Sequence, residues 1–192
     1  LGHDWQGTEC GRCDETRENP FSDVPEDAYY LNAVLWAAEE GITTGLGDGT
    51  FNPDGALVRA QFVTMLWRAA GCPEPETTEN PFDDVKESDF FYKAVLWALE
   101  RGITTGVSEN HFGSYMTTNR AQAVTFLWRF VGQPEATTDN AFTDVEDGAW
   151  YEAPINWAVE AGVTNGTAEH IFGVQDDCNR AHAVTFLYRA LA

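Results

Sequence analysis

Residues 119–129 read NRAQAVTFLWR, residues 58–68 read VRAQFVTMLWR, and residues 179–189 read NRAHAVTFLYR. Each stretch spaces its apolar residues at helical period, and each opens with an arginine directly after Asn or Val. Asn is a good N-cap, and Gln122 stands where a capping-box partner of Asn119 belongs. Asn179 keeps the cap with His182 in that partner position. Val58 offers no side-chain acceptor, so a hydrophobic staple of Leu57 on Phe62 is expected to start that helix, with Gln61 at its third position. All three arginines, Arg59, Arg120 and Arg180, thus fall in a first helical turn, the end where the macrodipole disfavours cations.

Working outward, the three stretches end three copies of one unit. Phe21, Phe82 and Phe142 are 61 and 60 residues apart. From each, the same offsets lead to Asp23, Asp84 and Asp144, then to an aromatic residue (Tyr29, Phe90, Trp150), to Trp36, Trp97 and Trp157, and to the arginines. Each copy reads as an amphipathic helix ending at Gly, a Gly- and Asp-rich loop, and a second amphipathic helix. The expected architecture is all-α, three helix-loop-helix repeats covering residues 20–71, 80–132 and 140–192, after an N-terminal tail or linker remnant, residues 1–19.

The chain has 192 residues, 11 Lys and Arg against 31 Asp and Glu, a net charge of −20, and 43% hydrophobic residues. That is enough apolar material for a real core. The charge excludes nucleic acid as a partner, because phosphates require clustered cations. No apolar run reaches the roughly 20 residues of a membrane span, so no insertion is expected. No Ser-His-Asp, metal-binding or phosphate-loop motif appears, and the recurring aspartates lack the unequal environments that a catalytic acid pair needs. Neither catalytic residues nor a cofactor are expected. The loop DGTFNPDG fails as a calcium loop, with Pro53 where Gly is needed and Arg59 where a bidentate Glu is needed.

The unit, with its FSDV opening, its GDGTF-N-P loop and its R-A-Q helix start, resembles an S-layer homology repeat, and three tandem copies are that family's usual complement. The resemblance covers residues 20–192. It implies a pseudo-threefold prism with a central helical bundle, and a secreted module of the bacterial cell wall or S-layer. The partner it implies is secondary cell-wall polysaccharide bearing ketal-linked pyruvate, held in grooves between repeats. Alternatives are polyamine-modified peptidoglycan, or a structural module for self-assembly or protein docking. Because the chain ends with the third repeat, it is expected to be the C-terminal module of a larger protein with covalently linked upstream cargo.

On this reading Arg59, Arg120 and Arg180, with free N–H groups at the helix starts, form carboxylate sites. The competing reading is an internal ion pair with Asp23, Asp84 or Asp144, and the two combine if the aspartate orients the arginine. Gln61, Gln122 and His182 join the candidate ligand set. Tyr29, Phe90 and Trp150 are either core or sugar-stacking rings. Arg68, Arg129 and Arg189 read as cations complementing helix C-termini. Repeat 1, whose loop matches the family best, is expected to form the tightest groove. Cys72 and Cys178 are expected to form a disulfide between neighbouring repeats. His3, Cys10 and Cys13 supply three zinc-type ligands without a fourth, or a local Cys10–Cys13 disulfide.

Overall fold

A computed structural model describes residues 4–139 and 142–192. Its regular elements are β1 (Trp5–Gln6), β2 (Glu9–Cys10), α1 (Leu31–Glu39), α2 (Arg59–Ala69), α3 (Tyr92–Glu100), α4 (Arg120–Phe130), α5 (Glu152–Glu160) and α6 (Arg180–Leu191). Six helices carry the three repeats. The exception to an all-α reading is the antiparallel β1–β2 hairpin, Trp5 opposite Cys10 and Gln6 opposite Glu9, in the tail. The tail is not detached. Arg17 lies 4.7 Å over the Trp5 ring, donates to Asn32 Oδ1 on α1 at 2.7 Å and pairs with Glu39 at 3.3 Å.

The helix starts follow the caps. Asn119 Oδ1 accepts the Gln122 N–H at 2.8 Å, and Gln122 Oε1 accepts the Asn119 N–H at 3.3 Å, a complete capping box. Asn179 caps His182 N–H at 2.8 Å, without a return bond. At Val58 only the return half exists, from Val58 N–H to Gln61 Oε1 at 3.2 Å.

The helices of one repeat do not form its main packing. α3 packs on α2, α5 on α4 and α1 on α6, so each first helix lies against the second helix of the preceding repeat, and repeat 1 lies against repeat 3. The helix partners that sequence spacing joins are therefore separated, and the apolar faces meet only when all three copies are present. Val34, Leu66, Val95, Leu127, Ile155 and Leu187, drawn from all three repeats, belong to one buried cluster.

Just before the second helices the chains close a cycle. Thr118 N–H donates to Leu57 O at 2.8 Å, Cys178 N–H to Thr118 O at 2.8 Å, and Leu57 N–H to Cys178 O at 3.2 Å. These are equivalent positions of the three repeats, and all three side chains are fully buried.

That cycle corrects the expected Cys72–Cys178 disulfide. Both are free thiols, Cys178 buried and Cys72 exposed. Repeats 1 and 3 are indeed neighbours, but Cys178 sits where the second helices begin and Cys72 follows the far end of α2. Eleven helical residues separate those ends by about 16 Å, while a disulfide needs Cα atoms within about 7 Å. Burial also pushes the Cys178 thiol up to about 12. Of the tail, His3 lies outside the described residues, and among the described residues no group of three or more His, Cys, Asp or Glu is placed to hold a metal. Cys10 Sγ accepts the Arg12 N–H at 3.5 Å.

Two outcomes are expected. Iodoacetamide should modify Cys72 in the native protein and reach Cys178 only after denaturation, as intact mass and peptide mapping would show. Helix and tryptophan signals should melt in one coincident transition, and a chain cut after Gln133, which leaves α1 without α6, should show no cooperative transition.

Candidate functional site: three grooves between repeats

The three first-turn arginines are almost fully buried, at 3%, 3% and 5% exposure. Each reaches into the loop of the next repeat. Arg59 Nε donates to Phe112 O at 3.0 Å, Arg120 Nε to Phe172 O at 3.1 Å, and Arg180 Nε to Phe51 O at 2.8 Å, which returns to repeat 1. Their guanidinium groups stack on those same rings at 5.1, 5.1 and 4.7 Å. The backbone does likewise: Arg59 N–H donates to Met116 O, Arg120 N–H to Asp176 O and Arg180 N–H to Gly55 O. The helix-start N–H groups expected to bind an anion are therefore already occupied by carbonyls. A cation is tolerated at the positive helix end because its guanidinium meets a carbonyl oxygen and the face of an aromatic ring of the neighbouring loop.

The aspartates act one step further back. Asp84 accepts the N–H groups of Phe112, Gly113 and Ser114 at 2.8, 2.8 and 2.9 Å, and Asp144 accepts those of Phe172, Gly173 and Val174 at 2.8, 2.8 and 3.0 Å. Asp23 accepts from Phe51 and Asn52, both at 2.7 Å. No ion pair joins these aspartates to Arg59, Arg120 or Arg180 among the described residues. The competing reading, an Asp–Arg ion pair, is replaced by a relay: the aspartate clamps a loop of its own repeat, and that loop's carbonyl receives the arginine of the repeat before. Nor do the aspartates line the grooves.

Burial lowers all three arginines, Arg59 to about 10 against partial compensation by the Asp84 charge; that value leaves it protonated at neutral pH. Partial burial raises the carboxyls of Asp84 and Asp144, but the converging N–H donors outweigh it and hold both below the ordinary carboxylate value.

Three concave grooves result. The first, about 400 Å³, is lined by Arg59 of repeat 1, by residues 104–107, Gln122, Thr125, Phe126 and Arg129 of repeat 2, and by Trp150 of repeat 3. The second, about 490 Å³, joins Arg120, residues 164–167, His182, Thr185, Phe186, Arg189 and Tyr29. The third, about 160 Å³, joins Arg180, residues 42–46, Gln61, Thr64, Met65, Arg68 and Phe90. Each groove thus draws on all three repeats. None of these linings contains a carboxylate side chain.

Of the residues singled out in sequence, the three arginines, Gln61, Gln122 and His182, and Tyr29, Phe90 and Trp150 come together in these grooves. The aromatic trio is exposed at 64%, 66% and 56%, which decides it against the core. Each ring is propped edge-on by the next residue, at 5.0, 5.1 and 5.1 Å, leaving a face open. The repeat 1 loop lines the smallest of the three cavities, whereas Arg59 serves the groove built on the repeat 2 loop. Sequence reasoning missed the second arginine series as groove residues. Arg68, Arg129 and Arg189 donate Nη1 to Ile42, Ile103 and Val163 carbonyls at 3.3, 3.1 and 3.1 Å while flanking the cavities. Their recurrence nine residues after the first series was the available signal.

One glycine position shapes all three. Gly45, Gly106 and Gly166 have φ of 68°, 81° and 85°, and a Cβ there would strike the Thr50, His111 or Ile171 carbonyl and the ring of Phe21, Phe82 or Phe142.

The S-layer homology domain model matches residues 20–63, 81–124 and 141–184. The chain belongs to the S-layer homology domain family, whose members serve as cell-surface anchoring modules. It is 25% identical over 171 residues (87% of this chain, 21% of the relative) to the S-layer protein of Bacillus thuringiensis subsp. finitimus. It is 24% identical over 185 residues (92% and 40%) to a cellulosome-anchoring protein of Acetivibrio thermocellus, and 34% identical over 110 residues (56% and 11%) to an endoglucanase of Bacillus sp. strain KSM-635. The chain thus spans between 11% and 40% of these relatives' lengths. Its localisation is that of the family, secreted to the bacterial cell surface.

The depressed Asp84 and Asp144 carboxyls make stability acid-sensitive. Their contribution is complete above the unfolded carboxylate value of about 3.9 and declines as pH falls toward the folded value. Asp84→Asn should flatten the fall in unfolding free energy below about pH 4 and cost on the order of 2 kcal/mol at pH 7. Denaturant melts from pH 2.5 to 7 would show both.

Proposed function

We propose that the chain is a non-catalytic anchoring module that holds an acidic cell-wall polysaccharide, with ketal-linked pyruvate as the acid, in grooves between repeats of a pseudo-threefold prism. The second helices α2, α4 and α6 form the centre of that prism. The observation that carries this reading is the repeated groove composition: two arginines from different repeats and an outward aromatic face from a third. A guanidinium recognises a carboxylate by paired N–H donors, and an exposed ring accepts the apolar face of a sugar.

The chain carries net charge −20, so a polyanionic polymer is repelled at long range and must be held by local contacts. Arginine-lined grooves without carboxylates supply those contacts. The same composition argues against a polyamine ligand, which would need acids in the grooves.

The groove of Arg59, Arg129 and Trp150 is the principal one on this reading. Its cavity falls in the range of about 300–1,000 Å³ typical of ligand sites, and it presents the largest aromatic ring. The Arg180 groove is too small for that range, although Arg180 Nη2 is buried there without a partner. In the Arg120 groove, His182 has an unpartnered buried Nδ1, and burial followed by the Arg120 charge keeps the ring's pKa below its usual value and the ring neutral at pH 7.

Trp150 is exposed, so Trp150→Ala should leave the fold intact and weaken binding of pyruvylated wall polysaccharide about tenfold, whereas Tyr29→Ala and Phe90→Ala should do less. Calorimetry on purified polysaccharide measures this. Chemical removal of pyruvate should abolish binding, and undiminished binding after that treatment would contradict the proposal.

A further inference from the structure

We infer that the Arg59–Trp150 groove continues past Arg129 into a second subsite that takes the next acidic sugar of the same polymer, a feature the other two grooves lack. The inference rests on the anchoring reading above. A separate cavity of about 420 Å³ lies where the C-terminal ends of α2, α3 and α4 meet, walled by Ala70, Pro73, Trp97, Arg101, Arg129 and Phe130 together with the buried Ile103. Arg129 lines this cavity and the principal groove alike, and its Nη1 bond to Ile103 O fixes it at the boundary between them. Thr104, the next residue, already belongs to the principal groove.

The chemistry of the second cavity repeats that of the first. It has two guanidinium groups, Arg101 and Arg129, and an aromatic corner, with Trp97 and Phe130 packed edge-to-face at 6.0 Å. Arg101 is exposed and pairs with no carboxylate among the described residues. Its neighbour Glu100 is engaged instead by the N–H groups of Glu76 and Thr77. In a chain with only 11 Lys and Arg, an unpaired arginine beside a second one and the half-buried Phe130 ring is a carboxylate-and-sugar site in the making.

The feature belongs to repeat 2 alone. At the position of Arg101 the other repeats carry Glu40 and Ala161, and at that of Phe130 they carry Ala69 and Ala190. A glutamate in repeat 1 would repel the ligand that Arg101 attracts, and alanines leave no ring to stack on.

The test compares two probes by calorimetry: a methyl hexopyranoside carrying one pyruvate ketal, and the corresponding disaccharide with a ketal on each ring. The intact chain should bind the disaccharide at one site about tenfold more tightly than the single ring, the worth of one added charge-assisted contact. Arg101→Ala and Phe130→Ala should erase that difference while leaving single-ring affinity unchanged, and Arg101→Glu should place the disaccharide below the single ring. Arg101 is exposed, so its variants keep the fold, which circular dichroism checks. Equal affinity of the two probes for the parent chain would overturn the subsite, as would an Arg101→Ala effect on both probes alike or on neither. Binding of neither probe would instead overturn the anchoring reading on which the subsite rests.

Discussion

A buried arginine donating to a carbonyl of the next repeat is the interaction on which the rest of this molecule depends. It joins the start of one second helix to the loop that shapes the neighbouring groove, and it does so three times in a closed order. A hydrogen bond from a charged donor is worth about 1.5–3 kcal/mol, and the stacking on Phe112, Phe172 or Phe51 adds about 1 kcal/mol. Set against a total stability of about 5–15 kcal/mol for an ordinary domain, one such link is a large fraction. The aspartate of the family's opening motif serves the same link from behind, holding the loop so that its carbonyl points inward.

Helix packing and hydrogen bonding obey one logic. Each first helix leaves its own repeat to pack on the second helix before it, and each arginine leaves its own repeat to enter the loop after it. Grooves are the natural product of such exchange, because every one of them has walls from three repeats. Equivalence stops at the side chains. Met65 stands where Phe126 and Phe186 line the other two grooves, and Phe90 stands where they have Trp150 and Tyr29. A single fold thereby offers three grooves of unequal size and lining.

Much of this is legible in the sequence, and what is not has identifiable causes. The threefold repeat and the helix starts at Asn119 and Asn179 can be read because they depend on local spacing and capping, whereas spacing alone left Tyr29, Phe90 and Trp150 undecided between core and groove. Partner choice cannot: the offset from Arg59 to Phe51 looks the same in every copy, and nothing local says that Arg59 meets Phe112 instead. For the same reason Asp23 and Arg59 look like an ion pair and are not one. The helix-start N–H groups looked available for an anion because the carbonyls that occupy them come from another repeat. Cys72 and Cys178 looked joinable because adjacency of repeats is visible in sequence while the direction of α2 within the molecule is not. The role of Arg129 at the boundary of two cavities was hidden behind an adequate local explanation, the helix C-terminus.

A pair of double-mutant cycles in denaturant unfolding tests the central claim most directly. Arg59→Ala is combined once with Asp84→Ala, which unclamps the repeat 2 loop that Arg59 enters, and once with Asp23→Ala in its own repeat. The account predicts a coupling of about 1 kcal/mol or more with Asp84 and coupling with Asp23 within the roughly 0.3–0.5 kcal/mol of additive sites. Coupling to Asp23 with none to Asp84 would contradict it, and would return the arginine to its own repeat.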